Sequence, residues 1–284
     1  MKAAVLSPFF LPGSAGQLFS LYFRPGQEGH PEHFILLFPP FAEELNKARR
    51  MLSLQARKFA AMGYGVLLVD YYGTGDSAGN FGDATWAIWQ EDLGAIVAWL
   101  EQAGAKQVSL WGLRLGAMVA MHSLPRLRDR LGDRLNRILL WQPSLRGDQL
   151  MTQFLRLRLA ADMIGAGSKV TVQDLRDQLA AGGHVEVAGY ELSPGLVEGL
   201  DSLNMLNLGA AESPPVEWFE VVSSEDQPLS PASQKVLGAW RDAGMQVSTH
   251  TAMGEPFWVT PEITVLPALL EKTSALMQRD DSGR

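Results

Sequence analysis

The sequence predicts an α/β fold: a doubly wound, mostly parallel sheet with a helical cap inserted between its strands. Short apolar runs alternate with longer helical patterns along most of the chain, which is how a parallel sheet with crossover helices reads. The runs are apolar nearly throughout, so they are expected to be buried on both faces. One stretch, residues 144–208, breaks the alternation and reads as an insertion.

The strand candidates are Leu18 to Phe23, Phe34 to Phe38, Val66 to Val69, Val108 to Trp111, Ile138 to Trp141, Val216 to Val222 and Val247 to Thr251. Between them a helix is predicted from about Lys47 to Met62, stopping at Gly63. A second runs from Ala84 to Gln102, where Trp86, Trp89, Leu93, Ile96 and Leu100 recur on one face. A third begins at Leu115, and a fourth covers Pro231 to Ala243. The insertion holds a helix carrying Phe154, Leu155, Leu157 and Leu159, a second at Val172 to Ala181, an extended piece at His184 to Leu192, and a third helix after Pro194. The expected organisation is a core in two parts, residues 1–143 and 209–278, a cap of residues 144–208, and a frayed polar tail at 279–284. A cap there lies over the carboxyl ends of the strands, where open α/β sheets bind ligands.

Composition removes whole classes of function. A net charge of -7 gives no basic face for nucleic acid. With no cysteine, a disulfide framework, a thiolate nucleophile and a cysteine-held metal are all excluded. The apolar stretch Ala3 to Leu11 is interrupted by Pro8 and Pro12-Gly13, so a signal peptide is not expected. No stretch approaches the roughly 20 apolar residues of a membrane-spanning helix. A cytoplasmic protein without a membrane span is the expectation.

The most informative segment is Val108-Ser109-Leu110-Trp111-Gly112-Leu113-Arg114-Leu115-Gly116-Ala117. It has the layout of the nucleophile elbow of α/β hydrolases, Gly-x-Ser-x-Gly, in which glycines let a strand and a helix close around a serine on a strained turn. Here the central residue is Arg114. A guanidinium is a permanent cation with five donors and no acceptor, so it cannot attack a carbonyl.

The acid and base of a triad follow the nucleophile in the order Asp or Glu, then His. Asp226, after Val216 to Val222, stands where the acid is expected. After the last strand comes Met253-Gly254-Glu255-Pro256-Phe257-Trp258, and no histidine follows the glycine. His250 is expected within the strand; His30, His33, His122 and His184 fall in a turn, a strand start, the elbow helix and the cap. None takes the slot of the base. The adjacent acids Glu43-Glu44, Glu91-Asp92 and Glu225-Asp226 point in different directions and make no dyad, no His or Asp spacing indicates a metal, and Gly73 to Gly79 lacks the lysine of a phosphate loop. Neither cofactor nor metal is expected.

Asp70 followed by Gly73-Thr74-Gly75-Asp76-Ser77 is similar to a structural turn common in α/β hydrolases. The longer motifs Pro39 to Met51, Gly75 to Trp86, Trp111 to Gly116, Trp141-Gln142-Pro143, Gln153 to Leu157, Val187 to Leu192 and Phe257-Trp258 resemble the exosortase A system-associated hydrolase 2 family, over nearly the whole chain and with the elbow arginine included. The chain departs from the family pattern at Pro39-Pro40, where a His-Pro pair is expected. The resemblance implies an α/β-hydrolase fold in a bacterial protein linked to exosortase, PEP-CTERM sorting and exopolysaccharide production. It supplies no substrate.

By position, the oxyanion donors of such a fold fall at Phe41 and Leu115. Arg114 stands where helix amides already favour anions, and a buried arginine needs a partner. Either Glu43, Glu44 or Asp226 pairs with it and plugs the site, or it meets a ligand carboxylate, phosphate or sulfate. The candidate binding residues are therefore Phe41, Glu43, Glu44, Arg114 and Leu115. The expected function is binding or scaffolding without hydrolysis, with an anionic, acyl or glycan small molecule and a protein of the sorting or exopolysaccharide machinery as partners. The alternative is a hydrolase or an acyl or glycosyl transferase working with non-standard residues.

Overall fold

Strand β1 (Val5–Pro12) runs through the apolar stretch that Pro8 interrupts, a strand absent from the sequence-based candidates. The computed structural model describes residues 4–26, 30–164 and 170–282. In it β1 pairs antiparallel with β2 (Gln17–Arg24) at the edge of an eight-stranded sheet. Pro8 is tolerated because an edge strand can lack a ladder donor.

The core then alternates as expected: β3 (His33–Phe38), α1 (Glu43–Ala61), β4 (Gly65–Val69), α2 (Trp86–Gln102), β5 (Gln107–Leu113), α3 (Leu115–Leu131) and β6 (Leu135–Trp141). Helix α1 starts at Glu43 rather than near Lys47. Its N-cap, Ala42, makes no side-chain cap, so the usual start signal is missing, and Glu43 and Glu44 complement the helix dipole instead. Helix α2 starts just after Thr85, whose hydroxyl accepts from the Ile88 amide at 3.2 Å.

The insertion folds as α4 (Gly147–Ile164), α5 (Val172–Ala180), a hairpin of β7 (Val185–Val187) and β8 (Tyr190–Leu192), and α6 (Pro194–Asp201). Its two ends are stapled by the amide of Gly147 donating to Leu203 O and that of Met205 donating to Leu145 O, both at 2.9 Å. Arg176 joins α5 to α6 through Asp201 and to α4 through Thr152. The core is completed by β9 (Val216–Val222), α7 (Pro231–Asp242), β10 (Val247–Met253) and α8 (Pro267–Ser282). Helix α8 includes the first residues of the polar tail, and residues 283–284 of that tail lie outside the described residues.

Strand order is β1-β2-β4-β3-β5-β6-β9-β10, and β3, β4, β5, β6, β9 and β10 run parallel. Each buried strand feeds two cores. Ile35, Leu37, Leu139 and Phe219 face α1 and α8, while Phe34, Leu36, Leu110 and Ile138 face α2, α3 and α7. Burying each such aliphatic or phenyl side chain contributes about 1.5–3 kcal/mol. From β3 the chain moves one way to β4 and later resumes on the other side with β5, so the order reverses between β3 and β5. The loops leaving these two strands meet at that switch point, the usual ligand position of an open α/β sheet.

Candidate functional site

The elbow keeps its backbone. Arg114 sits between β5 and α3 with φ 57° and ψ -117°, a conformation that costs a non-glycine residue about 1–3 kcal/mol. Its amide donates to Trp141 O at 3.1 Å, and its carbonyl accepts from Ala117 and Ser144 at 3.1 and 3.2 Å, so the turn is held from both sides. A Cβ on Gly116 would lie 2.0 Å from Phe38 O, and one on Gly112 would lie 2.6 Å from the Ala117 backbone. Glycine is required at both positions because β5, α3 and the loop after β3 approach without room for a side chain.

The side chain at the apex is held as tightly. Arg114 Nε donates to Glu44 Oε1 at 3.0 Å, with the two side chains 17% and 15% exposed, and its guanidinium carbon lies 5.5 Å from the ring centre of Trp258. Burial holds the Glu44 carboxyl above the ordinary carboxylate range, and Arg114 pulls it only partly back. Glu44 Oε2 is buried with no hydrogen-bond partner. Of the three acids that sequence offered as partners, Glu44 is the one that reaches the arginine. Glu43 turns toward the cap, where its Oε2 accepts from Asn46 at 3.0 Å and from the Tyr190 hydroxyl at 3.4 Å. Asp226 is exposed in the turn after β9 and has no hydrogen bond or ion pair among the described residues.

Beside Arg114 lies a cavity of about 280 Å³. Its floor is Arg114 and Glu44, its walls are Phe41, Trp258 and the α4 residues Leu150 and Phe154, and Leu157 and Val259 stand at its rim, 47% and 57% exposed. Phe41 packs edge-on against Phe154 at 5.1 Å, which joins the loop after β3 to the cap. Leu115 is fully buried and does not line the cavity; as the first residue of α3, it offers only an amide without an intrahelical acceptor.

Solved structures give this arrangement its relatives. Est1E from Butyrivibrio proteoclasticus, with ferulic acid bound, superposes with a TM-score of 0.67 at 15% identity, covering 96% of this chain and 99% of that one. A malate-bound thermophilic esterase from Thermogutta terrifontis gives 0.58 at 17% identity, covering 96% and 97%. Mouse alpha/beta hydrolase domain-containing protein 10 gives 0.57 at 15%, covering 96% and 99%. The chain has the α/β-hydrolase fold. Residues 17–132, from β2 through α3, also match the X-Pro dipeptidyl-peptidase (S15) family, a match that includes the elbow and stops before the cap. A comparison with curated proteins finds no match.

The residues that the sequence motif marks can now be located in the fold. Arg114 stands at the apex of the turn between β5 and α3. In the loop after β10, Trp258 and Val259 line the cavity, and neither histidine nor serine lines it. His250 lies within β10, its Nε2 2.8 Å from Glu217 Oε2 and its ring stacked on Phe219. His122 packs on Trp86, and His184 Nε2 is 3.1 Å from Gly82 O. His30 is exposed ahead of β3. A serine–histidine pair does exist, His33 Nε2 and Ser109 Oγ at 2.8 Å, but Ser109 is fully buried at the start of β5, remote from the elbow end of that strand.

Sequence reasoning missed Trp258, Leu150, Gln153, Lys47 and Val259 as lining residues. Phe154 and Leu157 were visible only as apolar positions of a cap helix. Their neighbour Leu155 is fully buried while Leu157 is half exposed, so the helix divides its apolar residues between the core and the cavity. The signal for Trp258 was its place in the loop where the base of a triad would stand.

Proposed function

We propose that this chain is a non-hydrolytic α/β-hydrolase-fold protein that binds a ligand on behalf of the exosortase-linked sorting and exopolysaccharide system of a bacterium, acting in the cytoplasm. One observation carries the non-hydrolytic part: Arg114 occupies the nucleophile position, clamped by Glu44 at 3.0 Å and lying against Trp258, in a cavity that no histidine lines. Acyl transfer through this elbow needs a lone pair on the apex residue and a base to take its proton. Arg114 supplies neither. The link to sorting and exopolysaccharide rests on the long motifs from Pro39 to Met51 and from Gly75 to Trp86, together with the Gly-Leu-Arg-Leu-Gly elbow. Among the described residues no helix is long and apolar enough to cross a membrane, which is compatible with that setting.

Two measurements test the reading. Purified protein is expected to turn over p-nitrophenyl acyl esters no faster than a heat-denatured control and to take no stoichiometric fluorophosphonate label, since Ser109, the serine paired with a histidine, is sealed in the core. Labelling of any one serine would restore a hydrolase or transferase reading. In the bacterial host, deletion of the chain is expected to alter exopolysaccharide output or the processing of PEP-CTERM proteins; a host unchanged in both would remove the assignment to that system.

A further inference from the structure

Arg114 spends only one of its three nitrogens. Nε donates to Glu44, while Nη1 and Nη2 have no hydrogen-bond partner among the described residues, although the side chain is only 17% exposed and lines the cavity. Glu44 Oε2, on the same wall, is buried and equally unpartnered. A guanidinium whose Nε is tied to a carboxylate and whose carbon stands 5.5 Å over an indole ring is held in place before anything binds, which favours bidentate capture of an anion. Facing these polar atoms are Phe41, Leu150, Phe154, Leu157 and Trp258.

We infer that this cavity takes a small amphipathic monocarboxylate, an alkanoic or aryl-alkanoic acid, whose head group accepts from the terminal nitrogens of Arg114 while its apolar part lies along Phe41, Leu150, Phe154, Leu157 and Trp258. The inference deepens the non-hydrolytic binding role and rests on it, because the arginine has to be a binding group and not a remnant.

Charge selects the head group. The ionisable residues around the cavity are Arg114 and Lys47 against Glu43 and Glu44. Lys47 Nζ is turned outward onto Pro261 O at 2.8 Å, leaving Arg114 as the cation that faces the cavity without a full complement of acceptors. Beside Glu43 and Glu44, the second charge of a dianionic phosphate has no cation to meet, whereas a monocarboxylate asks for one cation and two donors, which Arg114 supplies. Size and lining select the rest of the molecule. At about 280 Å³ the cavity is just below the roughly 300–1,000 Å³ of drug-sized ligand sites, and its walls are apolar except at one end, which suits a single-headed chain or ring and not a sugar.

The test is calorimetric titration of the full chain with octanoate, 1-octanol, octyl phosphate and methyl octanoate. Octanoate is expected to bind, with octanol and octyl phosphate at least tenfold weaker. Arg114→Met is expected to weaken octanoate by roughly 10- to 100-fold and to leave octanol unchanged, as loss of a charge-assisted pair requires. Because Arg114→Met also strips the partner from Glu44, a second variant leaves that pair intact: Leu157→Glu, at a half-exposed rim position, places a negative charge in the apolar mouth and is expected to abolish octanoate binding without lowering the melting temperature. Absence of octanoate binding, equal binding of octanol, tighter binding of octyl phosphate, or indifference to both substitutions would overturn the assignment. Release of octanoate from methyl octanoate would overturn the non-hydrolytic reading instead, and the two failures are told apart by the product.

Discussion

Arg114 and Glu44 leave neighbouring parallel strands by different routes, one at the apex of the β5–α3 turn and the other in the first turn of α1, and meet at 3.0 Å on the floor of the cavity. The pair crosses the switch point of the sheet and links the apex of the β5–α3 turn to the helix that follows β3. Removing one partner leaves the other's charge largely buried and without its counter-ion. Arg114→Met is therefore expected to lower stability by roughly 2–3 kcal/mol near pH 7.5, below the 3–5 of fully buried pairs because both side chains keep some exposure. Glu44→Met on the same background should recover most of the loss, since an apolar pair of similar volume carries no desolvation cost. Chemical denaturation of the single and double variants measures this, and a double variant as weak as the single one would mean that the pair is not the cause.

The same carboxyl gives a pH dependence whose sign can be fixed in advance. Burial raises the Glu44 pKa above its ordinary value, so the folded chain holds this proton more tightly than the unfolded chain. The stability it contributes is fully present below about pH 4.5, the ordinary value, and is lost as pH rises through the folded value. Glu44→Gln removes the titration and can still accept from Arg114 through its amide oxygen. The stability of the variant minus that of the parent should grow from pH 5 to pH 8. A constant difference across that range would show that Glu44 ionises normally.

At the glycines of the elbow the expectation is geometric. Gly116→Ala places a Cβ 2.0 Å from Phe38 O, a backbone atom of a central strand that cannot move aside cheaply. A loss of roughly 3 kcal/mol or more is expected, in the range reserved for overpacking and backbone strain. Gly238→Ala, on α7 with nothing within 4 Å of its Cβ, is the control and should be neutral or slightly stabilising. Equal melting temperatures for the two variants would show that the elbow yields more readily than its contacts imply.

Much of this was legible in the sequence, for a physical reason: period and punctuation encode strands and helices buried on both faces. Val216 to Val222 and the helix of Trp89, Leu93, Ile96 and Leu100 read directly, because apolar spacing is what places them in the sheet and against it. Strand β1 was hidden because Pro8 forbids a central strand and sequence does not say which strand is an edge. The start of α1 was hidden because Ala42 carries no cap. At the site, the tight turn with Arg114 at its apex was plain, since two flanking glycines mark it. The choice of Glu44 over Glu43 and Asp226 was not, because adjacent acids differ only in the direction a helical turn gives them. Nor was the cavity, whose wall joins Phe41, Phe154 and Trp258 from three distant segments.

The last prediction concerns restoration of the nucleophile. Arg114→Ser places a hydroxyl on a turn already held at φ 57° by three backbone hydrogen bonds, so the variant should fold, at a stability cost similar to that of Arg114→Met because Glu44 again loses its partner. It should remain inert toward p-nitrophenyl esters. A serine without an adjacent base is a weak nucleophile, and no histidine lines the cavity to act as one. Of the residues that follow Glu255 in the loop after β10, Pro256 is exposed and Phe257 is fully buried, whereas Trp258 lies beside the Arg114 guanidinium. Arg114→Ser with Trp258→His is thus the smallest change that brings serine and imidazole to one cavity, and even then Asp226 stays exposed and unpartnered, so only weak turnover is expected. Robust ester hydrolysis by Arg114→Ser alone would identify Glu44 as a working base, held ready by its raised pKa, and the arginine would then be a block on a competent site rather than a replacement for it.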